Sequence, residues 1–162
     1  MNRRKDDEHQ MNQLKVHVAL NVNDVEESVT FYQAMFGAEP VKHKPGYAKF
    51  DIAEPALNLT LNYNGAVRSP GALNHLGIQV ASTDDVLRAK ARLNEAGLAT
   101  FDEMGTDCCF ALQDKIWIAD PDGYRWEFFV VNVADTKPEL TFAVAHEGAA
   151  KARSCCAPDC CA

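Results

Sequence analysis

The chain has 162 residues, enough to bury an ordinary core as one domain or as two small fused modules. Its 47% hydrophobic and 24% charged composition is that of a globular protein, and a net charge of −7 with a pI near 5.1 disfavours nucleic acid or an anionic membrane as partner. No stretch approaches the roughly 18 apolar residues of a membrane span, and MNRRKDDEHQMNQ lacks the apolar region of a secretory signal, so the expected compartment is the cytoplasm.

Residues 1–13 read as a solvated, flexible tail. From Val16 the text VHVALNV alternates Val16, Val18, Leu20 and Val22 with His17, Ala19 and Asn21, the period of a strand. Asp24 is placed to cap a helix carrying Val25, Val29, Tyr32 and Phe36 at helical spacing, with Gly37 as its stop. PVKHK, YAKFDIA and ALNLTLN follow as three short strands separated by PG and EP turn signals.

The second half repeats this order. NHLGIQVAS alternates Leu76, Ile78 and Val80 with His75, Gly77 and Gln79. Ser82 or Thr83 then caps a helix that runs to Gly97. LATFDEM, CFALQDKIWIAD and YRWEFFVVN supply three more strands, with a DPDG turn before the last. His17 and His75 stand 58 positions apart, whereas Ile52 of IAEP and Ile118 of IADP stand 66 apart, so the second half carries about eight extra residues near Cys108 and Cys109. The expected fold is α+β: two tandem βαβββ modules, about 14–64 and 73–133, in one domain over 14–133. A cysteine-rich tail at 134–162 would follow.

Each histidine shares its strand face with small or polar residues only, as the lining of a pocket would. Glu127 lies on a late strand with apolar neighbours, where an ionised carboxylate costs several kcal/mol unless it is paired or metal-bound. Its counterpart in the first half is Leu59, give or take one position, and no carboxylate stands there. A lone strand histidine is usually a hydrogen-bonded core residue. Two at matched repeat positions with one carboxylate instead give His17, His75 and Glu127 as a three-ligand metal site with open positions, a set suited to non-haem Fe(II). His9, His43 and His146 read as surface residues.

Six cysteines fall as three adjacent pairs, too bunched for a disulfide framework. Free adjacent thiols suit a soft metal or metalloid. Neighbouring residues of a regular strand point to opposite faces, so Cys108 and Cys109 need a loop or bulge over Met104–Cys109 to bind one atom, and Gly105 would help form it. Cys155, Cys156, Cys160 and Cys161 are accessory thiols of the tail, able to grip As(III), Cd(II) or Zn(II) or to do nothing in turnover. Tyr124 and Gln113 are candidates for proton transfer by location only.

The duplicated βαβββ order with His17, His75 and Glu127 resembles the vicinal oxygen chelate superfamily of glyoxalase-like and extradiol-dioxygenase-like proteins, which implies a mixed-sheet half-barrel around a metal. HVALNVNDVEESVTFYQAMFG, NHLGIQV, TDCC and DPDGYRWE resemble, more narrowly, the organoarsenical carbon–arsenic lyase (ArsI) family, whose relatives are often labelled cadmium-induced (CadI) proteins. That resemblance implies Fe(II) on His17, His75 and Glu127 and trivalent arsenic on Cys108 and Cys109. It also implies O2-dependent cleavage of methyl or aromatic organoarsenicals to arsenite. Two other readings stay open: a resistance protein that binds As(III) or Cd(II) without turnover, and an extradiol-type dioxygenase. The chain would work as a monomer or homodimer.

Overall fold

A strand that alternates aliphatic with small or polar residues folds with one face packed and one open. Val16–Val22 (β1) does so: Leu20 and Val22 are buried while His17, Ala19 and Asn21 are exposed. The structure, a computed structural model, describes residues 14–67, 71–108 and 111–134. Both terminal tails, with Cys155, Cys156, Cys160 and Cys161, and also Cys109, lie outside the described residues.

The described chain forms two units, one holding residues 14–67 with Asp120–Gly123 and the other residues 71–119 and 124–134. In the first, Val25–Phe36 (α1) starts where the Asp24 carboxylate accepts the Glu26 and Glu27 N–H groups at 2.8 and 3.0 Å. Such a cap contributes about 1 kcal/mol. The helix ends at Gly37, whose N–H donates to the Gln33 carbonyl.

Lys42–Lys44 (β2), Tyr47–Ile52 (β3) and Leu57–Tyr63 (β4) follow as an antiparallel meander that returns β4 to lie parallel to β1, giving the order β1-β4-β3-β2. The buried face of α1 sets Tyr32 and Met35 against Phe50, Leu59 and Leu61, all fully buried. Tyr32 meets the edge of Phe31 at 5.1 Å and stacks on Phe36 at 6.0 Å. Its hydroxyl donates to Asp120 at 2.7 Å, and the Asn23 backbone and side-chain N–H groups both donate to Asp122. These bonds hold the Asp120–Gly123 turn in the first unit.

The second unit has the same order: Leu76–Gln79 (β5), Thr83–Glu95 (α2), Phe101–Cys108 (β6), Ala111–Ala119 (β7) and Arg125–Val133 (β8), arranged β5-β8-β7-β6 with β5 parallel to β8. Ser82 caps α2, its Oγ accepting the Asp85 N–H and donating to the Asp85 carboxylate. Val86, Ala89 and Leu93 of α2 bury themselves on the sheet face of Ile116, Ile118, Trp126 and Phe128. The two four-stranded mixed sheets and their helices make the fold α+β, as the duplicated pattern requires. Among the described residues no helix is long and apolar enough to cross a membrane.

Two details depart from the sequence expectation, and a third narrows it to one of its two alternatives. His75 precedes β5 instead of opening it. The second expected strand of the second half, LATFDEM, starts later, at Phe101, and runs on to Cys108. Met104–Cys109 was expected to be a loop or bulge, and the disruption is confined to a bulge. Glu103 lies opposite Lys115 but Thr106 lies opposite Gln113, so β6 takes three steps where β7 takes two. Gly105, at φ +60°, supplies the left-handed turn that absorbs the extra residue. The ladder then resumes, with Cys108 opposite Ala111.

Candidate metal and thiol site

Directly opposed residues share a sheet face, so the registers define one row across the second sheet: Gly77, Glu127, Trp117 and Phe101. The row lies on the face away from α2. Beside it runs a second row of Phe129, Lys115 and Glu103.

Glu127 is 7% and Lys115 3% exposed, and the Lys115 ammonium donates to Glu127 Oε2 at 3.2 Å. The pairing meets the need of a buried carboxylate through one oxygen only. The other, Oε1, lies 3.6 Å from His75 Nε2. The Asn74 side-chain oxygen, an acceptor only, takes the His75 Nδ1–H, so in the neutral ring Nε2 is the nitrogen that carries the lone pair. Two such donor atoms on one ion, with bonds near 2.1 Å, lie roughly 3.0–3.4 Å apart. The observed separation is close to that, and the pair fits a shared divalent cation.

Gly77 makes room for it. A Cβ there would stand 3.1 Å from both Glu127 Cγ and Oε1. His75 is held edge-on against Trp117, ring centroids 5.1 Å apart, and Trp117 also receives the cations of Lys115 and Arg125 on its ring at 5.4 and 5.8 Å. A mostly apolar groove of about 260 Å³, lined by Phe101, Trp117 and Arg125 among others, opens beside this cluster.

In the first unit, His17 is exposed and its Nδ1–H donates to the Asn58 carbonyl at 3.1 Å. In the neutral ring this leaves the lone pair on Nε2, as it does in His75. Oxygen partners on Nδ1 are the usual support of metal-binding imidazoles. The structure thus brings His75 and Glu127 together, and among the described residues no His, Cys, Asp or Glu makes a cluster of three. In the first unit, Thr60 lies opposite Ala19 as Glu127 lies opposite Gly77. The counterpart of Glu127 is therefore buried Thr60, one position from Leu59, and it is not a carboxylate.

Gln113 is buried on the Glu127 face, and Tyr124 is half-buried ahead of β8. Sequence reasoning missed Asn74, Lys115 and Trp117. The adjacency of Asn74 to His75 was available as a signal. For the other two, strand parity in DKIWI held the clue: Lys115 and Trp117 alternate with Asp114, Ile116 and Ile118 and so share one face.

Duplicated sheets, two histidines with the same polarity and a buried late-strand carboxylate define a glyoxalase-like protein. The chain belongs to the glyoxalase/bleomycin resistance protein/dioxygenase superfamily, whose sequence model matches residues 16–128. Among its relatives, the cadmium-induced protein CadI of Mycobacterium tuberculosis H37Rv is 52% identical over 123 residues, 76% of this chain and 79% of that one. A trivalent organoarsenical cleaving enzyme of Bacillus sp. MD1 is 47% identical over 145 residues, 88% of this chain and 89% of that one. Among solved structures, a glyoxalase/bleomycin resistance protein/dioxygenase from Alicyclobacillus acidocaldarius superposes with a TM-score of 0.62 at 15% identity, covering 75% of this chain and 92% of that one. At that identity the likeness concerns the fold alone.

Proposed function

We propose that this protein cleaves the carbon–arsenic bond of trivalent organoarsenicals, using Fe(II) and O2 and releasing arsenite. The observation that carries the reading is the combination of a poised His75–Glu127 pair with adjacent thiols, Cys108 and Cys109, in a chain 47% identical to an enzyme named for that cleavage. His75 and Glu127, with His17, are the residues that would hold Fe(II). Bound there, iron would supply the activation of O2 that neither thiols nor carboxylates provide.

The chain's own residues do the rest. Cys108 and Cys109 exchange the oxygen ligands of a trivalent arsenical for two thiolates, losing their protons as the bonds form, and so convert an encounter into a fixed orientation. Asn74 and the Asn58 carbonyl keep each imidazole in the tautomer that leaves Nε2 as donor. Lys115 donates to one Glu127 oxygen and so aims the carboxylate. The groove of Phe101, Trp117 and Arg125 offers the organic substituent, methyl or aromatic, an apolar wall away from water.

Paired substitutions test the division of labour. Cys108→Ser abolishes arsenical capture and leaves Fe(II) binding intact, while His75→Ala does the reverse. Full arsenite release by both variants overturns the mechanism. A second reading, sequestration of As(III) or Cd(II) without turnover, rests on the same adjacent thiols, and the M. tuberculosis relative is named for its induction by cadmium. Oxygen uptake coupled to arsenite release separates the two, because a sequestering protein consumes none.

A further inference from the structure

The sheet face away from the site carries one acid that binds nothing there yet touches three elements. Asp114 of β7 alternates with Lys115 and so lies on the α2 side of the sheet. Its Oδ1 accepts the Gly105 backbone N–H at 2.6 Å, and its Oδ2 accepts the Thr83 hydroxyl at 2.5 Å and the Asn132 side-chain amide at 2.7 Å. Gly105 belongs to the bulge of β6. Asn132 is the extra residue of a second bulge, since Leu112 pairs with Val133 but Gln113 pairs with Val131. One carboxylate thus ties the irregularities on both sides of β7 to the first residue of α2.

The β6 bulge changes which residue falls where. In an unbroken ladder, with Glu103 opposite Lys115, Asp107 would stand opposite Ala111. With one residue inserted, Cys108 takes that place, in the line of β7 positions Ala111, Gln113, Lys115 and Trp117 on the Glu127 side. We infer that Asp114 is a positioning residue: by clamping the Gly105 bulge from behind the sheet, it fixes the register that sets Cys108, instead of Asp107, opposite Ala111. The inference rests on the proposed role of Cys108 in arsenic capture.

The acceptor count explains why a carboxylate is required. Three donors converge on two oxygens, and an Asn amide in that place turns an N–H toward at least one of them. Burial by itself would push the Asp114 carboxyl up, but the bonds from Thr83, Gly105 and Asn132 outweigh it and hold the group below its usual range, so it is ionised whenever the protein is folded near neutrality.

The test compares wild type, Asp114→Ala, Asp114→Asn and Cys108→Ser with phenylarsine oxide as probe, with Co(II) absorption reporting the metal site and hydrogen exchange following the amides of Thr106 and Cys108. The expected result for both Asp114 variants is arsenical affinity weakened at least about tenfold and Thr106 and Cys108 exchange faster by a similar factor, with the Co(II) spectrum and the amides of Ile118 and Phe128, far from both bulges, unchanged. A register-rescue variant guards against simple misfolding. Deleting Gly105 from Asp114→Ala should restore capture, because the unbroken ladder from Glu103 opposite Lys115 then keeps Cys108 opposite Ala111 with no bulge to hold. Unchanged exchange and capture in the Asp114 variants, or no rescue of Asp114→Ala by the Gly105 deletion, overturns the inference. Failure of wild type to capture the probe, or capture independent of Cys108, overturns the arsenical reading instead, and the exchange measurement still decides the role of Asp114.

Discussion

Gly77 lies directly opposite Glu127 in the parallel β5–β8 pairing, and a single carbon added to it would meet the carboxylate at 3.1 Å. The glycine therefore sets how the acid is aimed, and Gly77→Ala must push Glu127 away from His75 by a few tenths of an ångström. Expected is a loss of divalent-metal affinity of about tenfold, within the range for supporting-residue changes. The thermal midpoint should move little, since the added methyl also removes backbone freedom from the unfolded chain. Titration with Co(II) or Fe(II) under nitrogen measures the first effect and calorimetry the second.

Lys115, itself buried, places its ammonium 3.2 Å from the Glu127 carboxylate. Replacing it with Met leaves a carboxylate in an apolar setting, a change that costs roughly 3–5 kcal/mol when a buried pair is broken. Denaturant unfolding of metal-free protein should show that loss. The double variant Lys115→Met with Glu127→Gln should recover most of it, because no charge then remains to be stranded.

Asp114 makes a pH-dependent contribution whose sign follows from its lowered pKa. A carboxylate depressed below its ordinary 3.8 stabilises the fold above that value and loses the contribution as pH falls through the folded-state pKa. The stability gap between wild type and Asp114→Asn, about 1–3 kcal/mol at neutral pH, should stay constant down to about pH 5 and close below 3.8. Urea unfolding at several pH values reads it directly. A gap that widens toward acid would contradict the assignment.

In the first unit, Tyr32 is fully buried and its hydroxyl meets the equally buried Asp120. Tyr32→Phe keeps the ring packing and removes only the donor, so the expected cost is about 1.5–3 kcal/mol, the range for hydrogen bonds to charged groups. Equilibrium unfolding of the variant checks it.

Much of the fold was legible because alternation and helix caps are local signals. VHVALNV matches β1 residue for residue, and Asp24 and Ser82 cap where the sequence puts them. The identity of Thr60 as the silent counterpart of Glu127 also followed within one position. Less could be read around β6 and β7. LATFDEM carries no marker for the far end of its strand, and Gly105 signals a bulge without saying how many residues beyond it rejoin the ladder. Asp114 and Lys115 look in sequence like an exposed charged pair. Only the register shows that one faces the helix side, where three donors await it, and the other the acid of the opposite face. Cross-strand partners decide such positions, and they lie nine or more residues away along the chain.

Anaerobic loading with Fe(II), addition of a trivalent aryl or methyl arsenical, and then admission of air, with arsenic speciation and oxygen uptake followed throughout, tests the cleavage chemistry most directly. Carbon–arsenic lyase activity predicts no arsenite before air and arsenite release matched by oxygen consumption after it, absent in His75→Ala and Cys108→Ser. Arsenical that stays bound and intact in air on the iron-loaded protein, with no oxygen consumed, would contradict it.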